Sequence, residues 1–316
     1  MQAMSLRDAR HRISRGLPGA AAAVTARLPL PIAESVGRGL GALTGVVPNR
    51  LYRRALDNLR FAFPEQPEST RAELARRSLA HAGRELAATL RWFSRGSAAL
   101  PGLCTNYGEL CATLRSDLAA GRGAIWVGSH LGNPQLLSGL CATVAPVTGV
   151  HTGYHARSQF GFVAEARARV GLRHIPANAP PLELLRALQR NELVSILPDV
   201  QPRRNVGVWL PFFGRPACTS TFAASLARLT GSVLRPVFLV REGDRYRALI
   251  RDRLAPPRAD EGDAGLERAM LAWSAALEEE VRRRPEQWIW INRRWRDLPD
   301  GARPVATPAA RVAQAS

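Results

Sequence analysis

The side chain best placed to do chemistry in this chain is His130, which follows the apolar run Ala124-Ile125-Trp126-Val127 and precedes Asn133-Pro134. An imidazole titrates near neutral pH, so it serves as a general base when it is held neutral and aimed at a proton. The apolar run reads as a buried strand, Asn133 as a helix N-cap and Pro134 as the first helical residue. Open α/β sheets bind ligands beyond the carboxyl ends of their strands, and His130 falls at such an end. The helix start next to it offers unpaired N–H groups and a positive dipole end, which attract anions and disfavour a protonated imidazole.

Other chemistries find less support. Cys104, Cys111, Cys141 and Cys218 form no CxxC pair and no metal-type spacing, so they read as buried, reduced thiols of a protein facing the cytosol. Neither a metal nor a cofactor is expected. No G-x-S-x-G elbow occurs, which argues against a serine hydrolase. Gly37-Arg38-Gly39-Leu40-Gly41 only faintly suggests a phosphate-cradling loop, because no strand precedes it and the spacing fails.

The elements around His130 alternate between the two periods of secondary structure. Thr70-Arg71-Ala72-Glu73 reads as a capping box opening a helix over about 69–94, with Leu79, Ala82, Leu86, Leu90 and Phe93 at helical spacing. Leu110, Leu114 and Leu118 mark a short helix closed at Gly121. After the strand 124–127 come strands over 147–150, 172–175, 193–197, 233–240 and 246–250. Helices are expected over 158–170, 181–190, 219–229 and 266–284. This alternation predicts an α/β fold with a central, largely parallel sheet flanked by helices, preceded by a helical, membrane-associating N-terminal segment. The expected division is a basic, membrane-proximal segment 1–48, a domain 49–298 and a disordered tail 299–316.

The chain of 316 residues is 46% apolar, enough to bury a core, and carries a formal charge of +18. All 44 basic residues are arginines, a choice that a GC-rich coding sequence explains. The excess itself implies an anionic partner. Because the arginines are scattered and lack interleaved aromatics, nucleic acid is not the expected one. The stretch 16–26 is too short to span a bilayer and ends at Arg27; Pro18, Pro29 and Pro31 punctuate the region, and Arg7, Arg10, Arg12 and Arg15 precede it. It suits a segment lying on an anionic membrane surface; the alternative is that residues 17–47 cover the domain core.

Several segments carry a resemblance in a consistent order over about residues 35–298. Ser129-His130-Leu131-Gly132-Asn133 resembles the signature of the lysophospholipid acyltransferase superfamily. Asn58-Leu59-Arg60-Phe61-Ala62-Phe63-Pro64-Glu65, the Arg167-xxx-Gly171 step, Leu197-Pro198-Asp199 and Gly207-Val208-Trp209-Leu210-Pro211-Phe212-Phe213-Gly214 resemble segments of the lipid A late acyltransferases. Pro285 to Trp290, followed by Arg293-Arg294-Trp295, is similar to their C-terminal tryptophan motif.

The resemblance implies an acyltransferase in which His130 takes a proton from a lipid-linked hydroxyl, whose oxygen attacks the thioester of an acylated carrier protein. The implied partners are an acyl carrier protein, an anionic glycolipid acceptor and the phospholipid surface of the inner membrane, on its cytoplasmic face. It further implies that Arg167 holds a phosphate or oxyanion, that Asp199 positions, and that Asn133 and Arg204 contribute to substrate binding. The chain departs from the pattern twice: Gln135 stands where those enzymes carry a carboxylate, five positions after the histidine, and Asn292 where they usually have histidine. For a working enzyme, either the Gln135 amide oxygen accepts the imidazole N–H or a nearby acid such as Asp199 does so. The competing readings are a lipid- or carrier-binding protein on the same fold, which an acid approaching His130 would separate from an enzyme, and an acyltransferase with a different lipid acceptor.

Overall fold

The computed structural model describes residues 24–46, 49–151, 161–176, 181–202 and 206–295. The expected basic start, the beginning of the helix expected over 158–170, Arg204 and the expected tail lie outside these residues. The strands are β1 (Ala124–Val127), β2 (Val147–His151), β3 (Arg173–Pro176), β4 (Leu193–Ile196), β7 (Val233–Glu242) and β8 (Arg245–Ile250). They form one sheet in the order β3-β2-β4-β1-β7-β8. Five of these strands run parallel, and β8 returns antiparallel to β7. Such a sheet is covered on both faces, which is why β1 reads as a continuous apolar run rather than an alternating one. In β1, Ile125 and Val127 enter one core with Trp273, Leu277 and Trp288, while Ala124 and Trp126 enter the other with Phe93, Leu136 and Leu140.

The helices are α1 (Leu30–Val46), α2 (Arg50–Ala62), α3 (Glu68–Ser94), α4 (Tyr107–Leu118), α5 (Pro134–Ala142), α6 (Gly161–Arg169), α7 (Leu182–Gln189), α8 (Phe222–Thr230) and α9 (Gly262–Arg283). Asn49 caps α2, its side-chain oxygen accepting from the backbone of Leu51 and Tyr52. The capping box expected at Thr70 is not the start of α3: the helix begins at Glu68 behind Pro67, with no side-chain cap, which puts Thr70 inside the first turn. Leu86, expected to face inwards, is exposed. The reason is that α3 lies between α1 and the sheet, so its buried set includes Ser78, Glu85 and Thr89 instead.

Two features lie beyond the expected elements. A two-stranded hairpin, β5 (Val208–Phe212) and β6 (Arg215–Thr219), fills the segment before α8, so Thr219 closes a strand rather than opening the helix. The Gly37–Gly41 stretch is no loop: it belongs to α1. Gly37, Gly41 and Gly45 are buried on the face that meets α3, and a Cβ on Gly37 or Gly41 would overlap carbonyl oxygens of Gly83 or Leu79. The helices therefore approach backbone to backbone. With glycine facing inwards, the large side chains of α1 face out: Ile32, Val36, Leu40, Leu43 and Val46 are all exposed, Val46 by 71%. That is the reverse of the usual amphipathic helix. Among the described residues, no helix is long and apolar enough to cross a membrane.

Candidate active site

The register of the sheet builds the site. Parallel pairing sets Val127 of β1 opposite Ile196 of β4, and the Gly128 amide continues the ladder to the Ile196 carbonyl at 2.9 Å. Three residues beyond each paired strand end come His130 and Asp199, so the two side chains meet across the sheet's carboxyl edge. The Nδ1 and Oδ1 atoms are 2.8 Å apart, and Asp199 Oδ2 accepts from the His130 backbone N–H at 2.8 Å. A third donor, Trp288 Nε1, reaches the same oxygen at 3.0 Å. The acid that approaches His130 is thus Asp199, not the residue five positions on.

Asp199 is fully buried. Burial alone would push its carboxyl pKa up, but the charge of His130 and the three hydrogen bonds hold it below the usual carboxylate range. An ionised carboxylate can only accept, so Nδ1 of His130 carries the proton and Nε2 is left with the lone pair. The imidazole keeps 29% of its side-chain surface exposed. Burial lowers its pKa, the charge and hydrogen bond of Asp199 outweigh that and raise it overall, and the positive charge of Arg167 pulls it partly back.

The loop between β1 and α5 is held rigidly. Gly132 has φ +62°, and a Cβ there would overlap the Leu239 carbonyl oxygen, so only glycine fits. The segment Gln287–Ile289 runs antiparallel to the loop: Gly132 N–H donates to the Gln287 carbonyl at 2.9 Å and Ile289 N–H to the His130 carbonyl at 3.1 Å. Asn133 caps α5 as expected, its Oδ1 accepting from Leu136 N–H at 3.0 Å. Its side chain is buried, however, and the Nδ2 group donates to Glu85 Oε2 at 2.8 Å. It supports the helix that borders the site and presents no surface for substrate. Glu85 is in turn held by Arg241 Nε at 2.6 Å and Tyr246 OH at 2.6 Å, and Arg241 reaches Glu34 on α1 at 2.9 Å.

Gln135 does not meet the imidazole. Its Oε1 accepts from Nε of Arg167 at 2.7 Å, so a buried guanidinium from the last turn of α6 is fixed where its charge is felt at His130. Arg204 lies outside the described residues. Three participants escaped the sequence reading: Trp288 as a donor to Asp199, Glu85 beneath Asn133, and Arg294. Arg294 is fully buried, donates to the Cys218 carbonyl and Thr219 Oγ1, and stacks over Phe212. Burial lowers its pKa to about 10, against the opposing charge of Asp199. The tryptophan motif signalled that something was held near residue 288, but not which atom.

The separated motifs converge under this pair. Asn58 Nδ2 donates to the carbonyls of Trp290 and Asn292. Phe63 packs on Phe213 and Trp290 at centroid distances of 5.2 and 5.8 Å, Phe212 on Trp288 at 5.6 Å, and Trp288 on Trp290 at 4.7 Å. Edge-to-face pairs of this kind contribute about 0.5–1.5 kcal/mol each beyond their buried area. The four cysteines are buried and form no disulfide.

A buried acid orienting a partly exposed histidine at the carboxyl edge of a parallel sheet, beside a fixed arginine, fits acyl-transfer chemistry, and the chain belongs to the bacterial lipid A biosynthesis acyltransferase family, whose model matches residues 15–297. It is an acyltransferase by that membership. The chain is similar to the lipid A biosynthesis palmitoleoyltransferase of Escherichia coli, at 25% identity over 87% of this chain and 88% of that one. It is also similar to the lauroyltransferase of the same organism, at 24% identity over 87% and 89%. A lipid A biosynthesis acyltransferase of Haemophilus influenzae is 25% identical over 88% of each chain.

Proposed function

We propose that this protein moves a fatty acyl chain from an acyl-carrier-protein thioester to a hydroxyl of a lipid A precursor. His130 Nε2 removes the proton from the acceptor hydroxyl, and the oxygen attacks the thioester carbonyl. Asp199 stabilises the imidazolium that forms. Arg167, positioned by Gln135, faces the developing oxyanion or a phosphate of the acceptor. The tetrahedral intermediate collapses by expelling the carrier thiolate, which takes the proton back from His130. Arg204 is assigned to the acceptor's phosphate. A carrier protein rich in acid and a phosphorylated acceptor both match a chain of +18.

The observation that carries this reading is the buried Asp199 carboxylate, 2.8 Å from Nδ1 of an imidazole that remains 29% exposed. An acid that orients a part-exposed imidazole is what general-base catalysis requires, which favours an enzyme over a protein that only binds lipid. The work takes place at the cytoplasmic face of the inner membrane, and the outward apolar stripe of α1 is the part of the described chain suited to lie among its lipids.

Lipid mass spectrometry tests the reading. A strain lacking the protein is expected to accumulate a lipid A species lighter by one acyl chain, restored by the wild-type gene and not by His130→Ala. An unchanged lipid A profile, or full restoration by folded His130→Ala, would count against it.

A further inference from the structure

Gln135 and Arg167 belong to different helices, and Arg167 Nε spends its hydrogen bond on the Gln135 amide oxygen at 2.7 Å. An amide oxygen accepts from a guanidinium as a carboxylate does, but it brings no charge. The guanidinium is buried, so its field is weakly screened, and it acts on His130. Among the described residues, two charged groups act on the imidazole: Asp199 from the loop after β4 and Arg167 from α6. Arg294, on the far side, acts on Asp199. Burial and the charge of Arg167 oppose the imidazolium and Asp199 favours it, so a change of charge next to Arg167 changes the pH at which His130 becomes a base.

We propose that Gln135 is a positioning residue that holds Arg167 beside His130 and, by adding no negative charge there, lets His130 act as a base at a lower pH than an acid at position 135 would allow. A carboxylate at 135 would accept the same N–H and pair ionically with Arg167. It would also offset the guanidinium's field at the imidazole, which raises the histidine's pKa. More of the enzyme would then be protonated, and idle, at neutral pH. The kinetic part of this inference rests on the acyl-transfer reading, whereas the electrostatic part does not.

The test therefore has two readouts. In Gln135→Glu, the acid limb of the kcat/KM profile is expected to move up by about 0.5–1 pH unit. The titration midpoint of His130, followed by NMR in protein with labelled histidine and identified by its loss in His130→Ala, should move by the same amount. Arg167→Gln removes the positive charge and must move the midpoint in the same direction, and Gln135→Asp is the second acid variant if Gln135→Glu fails to fold. A midpoint unmoved in the folded variants overturns the inference. A midpoint that moves in a wild-type background showing no acyl transfer supports the electrostatic inference and defeats the acyl-transfer reading instead.

Discussion

Asp199 and Leu40 each sit where their chemistry would not ordinarily put them. The carboxylate has no surface in solvent, whereas the leucine keeps 57% of its own exposed. Around Asp199 the protein supplies what water would have given: two backbone or indole N–H donors, an imidazole and, further off, a guanidinium. A buried charge so satisfied is a device for orientation, since leaving it partnerless would cost several kcal/mol. Around Leu40 the described residues leave most of the side chain uncovered, because the face of α1 that packs on α3 has been given to glycine. A helix that buries its smallest residues and exposes its largest apolar ones suits the lipid surroundings proposed for it. The same molecule thus treats burial as a means of fixing charge at one end and leaves oil uncovered at the other.

The largest effect is expected at the charged end. Asp199→Asn keeps the shape but removes the charge that stabilises the imidazolium, and kcat should fall by about 10³–10⁴-fold, as for the equivalent change in a serine-protease triad. Circular dichroism should stay that of the wild type. A folded Asp199→Asn protein retaining most of its rate would erase the distinction between a charge held for orientation and one held for packing.

At the apolar end, Leu40→Asp combined with Leu43→Asp should leave the melting temperature nearly unchanged, because both side chains are exposed. Binding to anionic phospholipid vesicles should drop by about 100-fold, from two part-covered leucines contributing about 1.5 kcal/mol of lipid contact each. Vesicle binding that survives the double substitution would mean that α1 faces something other than lipid.

These two ends were unequally legible. β1, the cap at Asn133 and the position of His130 follow from local signals: an apolar run, a capping residue and a proline at the first helical position. Asp199 appeared as a positioning residue and a possible substitute acid without a fixed place, because its meeting with His130 depends on the register of β1 against β4 across 69 residues. Gln135 was expected to look towards His130 but is drawn to Arg167, 32 residues away, since the competing partner is charged and lies on another helix. The α1 glycines were noticed, and set aside as a phosphate loop, at a spacing of two, whereas the spacing of four, Gly37-Gly41-Gly45, is the one that packs. The β5–β6 hairpin was invisible to alternation because Pro211, Gly214 and Pro216 interrupt the period.

Reconstitution from purified parts tests most directly whether His130 moves an acyl chain. The protein, an acylated carrier protein and an underacylated lipid A precursor, in anionic vesicles, would be followed by mass spectrometry of the lipid. The expected result is a product heavier by one acyl chain, formed by the wild type and reduced to background with His130→Ala. Wild-type protein that binds the precursor yet leaves its mass unchanged would contradict it.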